Sequence, residues 1–312
     1  MTFFRVLQEG AGHGEQAAAH GAEQAAHAAE GGGPDVGGML MHHLVDAHYL
    51  ELPIVGEVHL PQWDPVHVAG LTIDLSPTKH VVFLVLAGIL CTLLFLAVGR
   101  AIAGKYRDRA PSGLANAMEA IILYFRDEIV RRNIGHGADK FTPFILTLFF
   151  FILTMNLLGL VPWGATATGN LSVTAGLAVV SLIVIEVSGF LALGPGGYMK
   201  TIFYAPKGMG PVGSALMLVI MTPVELVGKV AKPFALAIRL FANMTGGHTV
   251  ILALLGLIFV FGHLTLGRWG VAAGSVGMSI AMMILEIFVA FLQAYIFAML
   301  TSVFIGLIRH AH

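Results

Sequence analysis

Apolar residues in this chain come in long blocks, not in the alternation of a half-buried strand or the one-sided stripe of a surface helix. The first block runs from about His80 to Ala103, long enough for the ~20 apolar residues that a bilayer core requires. Residues 112–133 differ, because apolar and charged positions share one amphipathic segment with a charged end. That pattern predicts a helix lying in the membrane interface. Two further spans follow, Phe141–Pro162 and Leu171–Leu193, joined by the short turn WGATATGN. The Gly/Pro-rich stretch GPGGYMKTIFYAPKGMGP then reads as a polar loop.

Two long apolar stretches finish the chain, Val212–Phe261 and Val271–Ile308. At ~1.5 Å per residue each is too long for one upright span. Each is either one long, strongly tilted helix or two short spans, and the lack of a polar interruption favours the tilted helices. Pro223 and Pro233 are candidate kinks in the first of them. The expected fold is all-α: a polytopic membrane protein with about five crossing helices and one interfacial helix.

Three regions are expected along the chain. Residues 1–40 form a His/Ala/Gly-rich, low-complexity extension in which His13, His20 and His27 recur every seven residues. Residues 41–78, broken by Pro53, Pro61, Pro65 and Pro77, precede the first span on the outer side. Residues 79–312 form the membrane domain. No compact apolar h-region marks an ordinary cleaved signal peptide.

Composition agrees with this pattern: 57 % of residues are hydrophobic, 11 % are charged, and the mean hydropathy is +0.83. A soluble domain carries about 25 % charged residues, so an ordinary soluble enzyme is excluded. The 17 Lys+Arg are matched by 18 Asp+Glu, leaving no excess for phosphate neutralisation, and no nucleic-acid partner is expected. The single Cys91 lies in an apolar run, which excludes a disulfide scaffold or a Cys-based metal site. No metal and no cofactor are expected.

Where the charges lie changes the picture more than their number. Eight Lys/Arg fall between Arg100 and Lys140, against only Arg5 and Lys79 before the first span. The positive-inside rule then puts the N-terminus outside and, after five crossings, the C-terminus in the cytoplasm. Only three carboxylates follow residue 140, namely Glu186, Glu225 and Glu286, and each sits in an apolar stretch. A carboxylate at bilayer depth costs roughly 2.5–3.5 kcal/mol and marks a functional position by default.

The richest segment is TPVELVGKVAKPFALAIRLFANMTGGH, Thr222–His248. Arg239 is embedded there among apolar neighbours. Arginine does not deprotonate in proteins, so it serves as a fixed charge and not as a proton carrier. At about 100° per residue, Asn243 and Glu225 each fall about 40° from Arg239 and share its stripe, whereas His248 points about 180° away. On the last helix Glu286 and Gln293 stand seven apart, on one face. Glu186, in VVSLIVIEVSGF, reads either as a packing partner or as a residue that lines water.

The run Ala231-Lys232-Pro233, then Arg239-Leu240-Phe241-Ala242-Asn243-Met244, then His248 resembles subunit a of F-type ATP synthases. Glu286 with Leu292-Gln293-Ala294-Tyr295-Ile296-Phe297, and the Asn156–Pro162 run, are similar to the same family. The likeness covers roughly residues 40–312; the histidine-rich extension departs from it. Family members carry an acid and a histidine on the last two helices in either order, and here the order is His248 then Glu286.

The resemblance implies a non-catalytic stator subunit of the H⁺-transporting complex in a bacterial inner membrane. Its partners would be a rotating ring of c subunits, the peripheral-stalk b subunits and the lipid bilayer. Two offset half-channels would serve the ring carboxylates, with His248, Glu286 and Gln293 on the outer path, Glu225 on the inner path, and Arg239, beside Asn243, blocking direct leak. The alternative is a secondary ion-coupled transporter, which also places charges at midplane but normally shows internal repeats and broken helices. A membrane haem protein would need paired axial histidines, and His80, His248 and His263 offer no convincing pair.

Overall fold

The computed structural model describes residues 37–38, 46–47, 49–52, 56–63, 66–68, 71–73, 76–106, 109–161, 164–203, 211–262 and 267–310. The histidine repeat of the N-terminal extension, Pro53, Pro65, Lys207 and His263 lie outside them. Two compact units divide the chain: Ala47–Met244 with Ile287–His312, and Met1–Asp46 with Thr245–Glu286.

In the larger unit, the proline-broken segment before the first span forms two short antiparallel hairpins. β1 (Tyr49–Leu52) pairs with β2 (Gly56–His59), with Leu52 opposite Gly56, and β3 (Val66–Val68) pairs with β4 (Leu71–Ile73). The Trp63 amide donates to Ser76 Oγ at 3.0 Å, tying this segment to the start of the first long helix. That helix, α1 (Lys79–Ala103), is N-capped by Thr78. It buries Ala87, Cys91 and Val98 and exposes Leu86, Ile89, Leu90 and Leu93. An apolar outer face of this kind suits a helix that faces lipid.

The expected amphipathic segment is helical. α2 (Leu114–Tyr124) continues through a π-helical turn, Phe125–Arg131, into the short α3 (Arg132–Ile134). Phe125, Ile129, Val130 and Ile134 are buried, and the charged residues lie on the other side. There Arg131 bridges Asp127 at 2.8 Å and Asp139 at 2.7 Å, while Arg132 pairs with Glu128 at 3.1 Å. The Arg126 guanidinium holds Asp127, and the Arg131 guanidinium holds Asp139, below the usual carboxylate range. The Ile129 carbonyl accepts from Asn133 Nδ2 at 2.7 Å and from Ser302 Oγ at 3.2 Å. The wide π turn thus gives the last helix a buried polar anchor.

α4 (Thr142–Gly159) stops three residues short of the expected Pro162. α5 (Leu171–Ile202) corrects a second expectation: the stretch after Leu193, read as a polar loop, continues as helix past a kink at Gly194. Gly194 takes φ 68° and ψ 171°, a conformation that needs glycine. Pro195 then restarts the helix with its φ preset and no amide to satisfy.

α6 (Pro211–Val260) has 50 residues and α7 (Gly267–Arg309) has 43. At ~1.5 Å per residue these are about 75 and 65 Å long, so neither fits upright in a ~30 Å hydrocarbon core. Pro223 and Pro233 lie inside the continuous α6. Phe149, Ile152, Met155, Leu240, Phe297 and Ile305 lie at the centre of the larger unit's core. Gly306 allows α7 its closest backbone approach, since an added Cβ would fall 2.0 Å from the Asn133 carbonyl oxygen. Among the described residues five helices, α1 and α4 to α7, are long and apolar enough to cross a membrane.

Candidate functional site

Within the larger unit, α6 has a strongly divided surface. Leu236, Ala237, Leu240 and Met244 are buried, whereas Phe234, Ile238 and Arg239 are exposed. Arg239 forms no ion pair among the described residues, so a permanent charge stands on an otherwise apolar face. Glu225 and Asn243 are exposed as well, as the shared stripe anticipates.

Asn243 reaches across to α7, where its Nδ2 donates to Gln293 Oε1 at 3.0 Å. Gln293 is only 2 % exposed, and its Nε2 has no hydrogen-bond partner among the described residues. Asn156 fixes the backbone of α7 nearby. It donates through Nδ2 to the Ala290 carbonyl at 3.3 Å and accepts from Thr168 Oγ1 at 2.8 Å. The fully buried amide is thereby satisfied on both sides, and the turn of α7 preceding Gln293 is held in register.

Glu225 lines a cavity of about 110 Å³ together with Glu186, Thr201, Lys229 and Lys232. That volume accommodates several waters beside polar partners. Lys229 Nζ lies 3.1 Å from Glu186 Oε2, and the Tyr198 hydroxyl donates to the same oxygen at 2.5 Å. Lys232 sits over the Phe304 ring, with Nζ 5.4 Å from its centroid. These contacts give Glu186 the partners that the sequence did not reveal. Tyr198 and Thr201 had no distinguishing signal in the sequence, and the spacing of Lys229 pointed to Glu225, because their meeting with Glu186 depends on the helix that continues beyond Gly194.

In the smaller unit, His248 Nδ1 lies 2.6 Å from Glu286 Oε1. Glu286 is 2 % exposed, and its second oxygen, Oε2, has no hydrogen-bond partner among the described residues. An imidazole in short contact with a carboxylate can pass a proton between the two groups. Gly247 makes room for the carboxylate: a Cβ there would fall 2.7 Å from Glu286 Oε1. Its role was not read from the sequence.

Residues 81–306 match the protein family described as ATP synthase A chain. The chain is 45 % identical over 267 residues to ATP synthase subunit a of Chloroherpeton thalassium, covering 86 % of this chain and 75 % of that one. It is 43 % identical over 272 residues to ATP synthase subunit a 2 of Chlorobaculum tepidum, covering 87 % and 72 %. Against ATP synthase subunit a of Anaeromyxobacter dehalogenans it is 43 % identical over 293 residues, covering 89 % and 73 %.

Proposed function

Since this chain belongs to the ATP synthase A chain family, we propose that it is the stator subunit that passes protons to and from the carboxylates of a rotating c-subunit ring. It performs no bond chemistry of its own. The ring packs against the exposed face of α6, the peripheral-stalk b subunits hold the stator still, and the remainder of the apolar surface meets lipid in a bacterial inner membrane. The N-terminus lies outside and the C-terminus in the cytoplasm.

The observation that carries this reading is the exposed Arg239 among Phe234 and Ile238, which forms no ion pair among the described residues. A guanidinium facing a passing carboxylate favours its ionised form. At an effective dielectric of 20, an ion pair at 4 Å is worth about 4 kcal/mol, enough to bias proton release. A proton crossing 100 mV supplies about 2.3 kcal/mol, the same order as this attraction. The same charge repels a proton leaking directly across. Protons enter from the outside by way of His248, Glu286 and Gln293, and leave to the inside past Glu225. Asn243 holds the Gln293 amide on the ring side of that route.

The test is replacement of Arg239 by Ala or Gln in the assembled complex. Proton-driven ATP synthesis is expected to vanish while the complex still assembles. Lys is expected not to restore it fully, because a compact ammonium lacks the delocalised planar charge. Normal synthesis in Arg239→Ala would overturn the proposal. Transport of a solute by the chain without its partners would favour a secondary transporter instead.

A further inference from the structure

Glu225 and Lys229 stand four residues apart on α6, in the order and spacing at which a helical glutamate and lysine normally pair. They do not pair here. Lys229 is drawn to Glu186 on α5, the Tyr198 ring lies 4.6 Å from its ammonium, and it donates to Thr201 Oγ1 at 3.4 Å. The two side chains of this ion pair are 11 % and 23 % exposed, so salt screens their attraction less than it would an open surface pair. Glu225 borders the same cavity but is exposed, and it forms no ion pair among the described residues.

We propose that Glu186 is a positioning residue that keeps Lys229 away from Glu225, leaving Glu225 able to bind and release protons. This inference rests on the reading of Glu225 as the inner exit group.

The charged side chains that line the cavity come from two helices. From α5 come Glu186 and the Tyr198 hydroxyl bound to it. From α6 come Glu225, Lys229 and Lys232, the last placed over Phe304. α7 presents only apolar side chains. When Glu186 loses its charge, the other carboxylate lining the cavity, Glu225, stands one helical turn from Lys229. A cation beside a carboxylate holds it ionised over an extra ~1–3 pH units. An ammonium in that position opposes the uptake of a proton by Glu225.

The experiment uses the whole complex in inverted membrane vesicles, where the cytoplasmic side faces the buffer and ATP hydrolysis draws protons in past Glu225. Pumping is measured against pH, and the position of the alkaline limb is read because it does not depend on how much complex assembles. Glu186→Gln is expected to move that limb down by about one pH unit or more. Glu186→Asp should move it the same way by less. Adding Lys229→Gln to Glu186→Gln should return it toward the unmodified position. An unmoved limb in Glu186→Gln, or a double variant as shifted as the single, overturns the inference. Glu225→Gln separates the two levels. If it leaves the profile unchanged, the exit role of Glu225 and this inference both fall. If it removes the limb while Glu186→Gln does nothing, only the inference does.

Discussion

His248 and Glu286 lie 38 residues apart in sequence, yet their side chains meet at 2.6 Å. One carboxylate oxygen is committed to the imidazole and the other has no hydrogen-bond partner among the described residues, with the carboxylate almost wholly buried. Two titratable groups so placed act as one unit, so their substitutions should not be additive. We expect the exchange His248→Glu with Glu286→His to retain more proton-driven ATP synthesis than either single change. A double-mutant cycle showing plain additivity would argue against coupling.

Gly247→Ala probes the space that this pair requires. In a helix interior the change would ordinarily stabilise by ~0.5–1 kcal/mol, so a harmful effect cannot come from helix propensity. The added methyl group would stand 2.7 Å from Glu286 Oε1 and must displace it. Overpacking costs about 1–3 kcal/mol of stability, and separately a functional group displaced by ~1 Å can cost up to roughly a hundredfold in rate. ATP synthesis is therefore expected to fall about tenfold, with partial recovery when Glu286→Asp shortens the acid. Full activity in Gly247→Ala would show that the carboxylate has no need of its present position.

The two-sided path can be tested by labelling. Cys91→Ser provides the background, because a serine hydroxyl can replace the thiol's contacts with the Phe150 carbonyl and Thr154 Oγ1. Single cysteines beside Glu225 should react with a membrane-impermeant thiol reagent added on the cytoplasmic side. Those beside His248 and Glu286 should react from the outside. Reaction of both sets from one side would refute separate half-channels.

The Arg131 bridge to Asp127 and Asp139 should confer acid sensitivity on the interfacial segment. Both carboxylates are held below their ordinary range by neighbouring guanidinium groups. Their stabilising contribution is present above the ordinary carboxylate range and disappears as pH falls through the depressed values. The groups are exposed, so the effect is local and modest. Protection factors for amide exchange over residues 125–140, corrected for the pH dependence of intrinsic exchange, should fall on acidification below about pH 4. In Asp139→Asn the exchange should already be faster at neutral pH and respond less to acid. Identical acid responses in the two proteins would remove the ion pair from the account.

Much of this protein follows from the sequence alone, because a bilayer imposes one-dimensional requirements. A helix must satisfy its own backbone and carry about 20 apolar residues, so the spans at Lys79–Ala103 and Thr142–Gly159 are legible as blocks. The cost of burying charge is likewise local, which makes Arg239, Glu225 and Glu286 conspicuous without any structure. Helical periodicity also groups Glu225, Arg239 and Asn243, and all three are exposed. Pairing between distant helices is a different matter. Local spacing favours Glu225 as the partner of Lys229, but the lysine is taken by Glu186. That choice depends on the continuation of α5 past Gly194, where the helix resumes after a positive φ and brings Tyr198 to Glu186 and Thr201 to the cavity. Gly247 carries no charge or hydrophobic signal, and the carboxylate that it accommodates is 39 residues away in the chain. Which polar groups exist at depth is written in composition and period, while which of them touch is decided by tertiary packing, because contact between helices depends on rotation and register that no local pattern specifies.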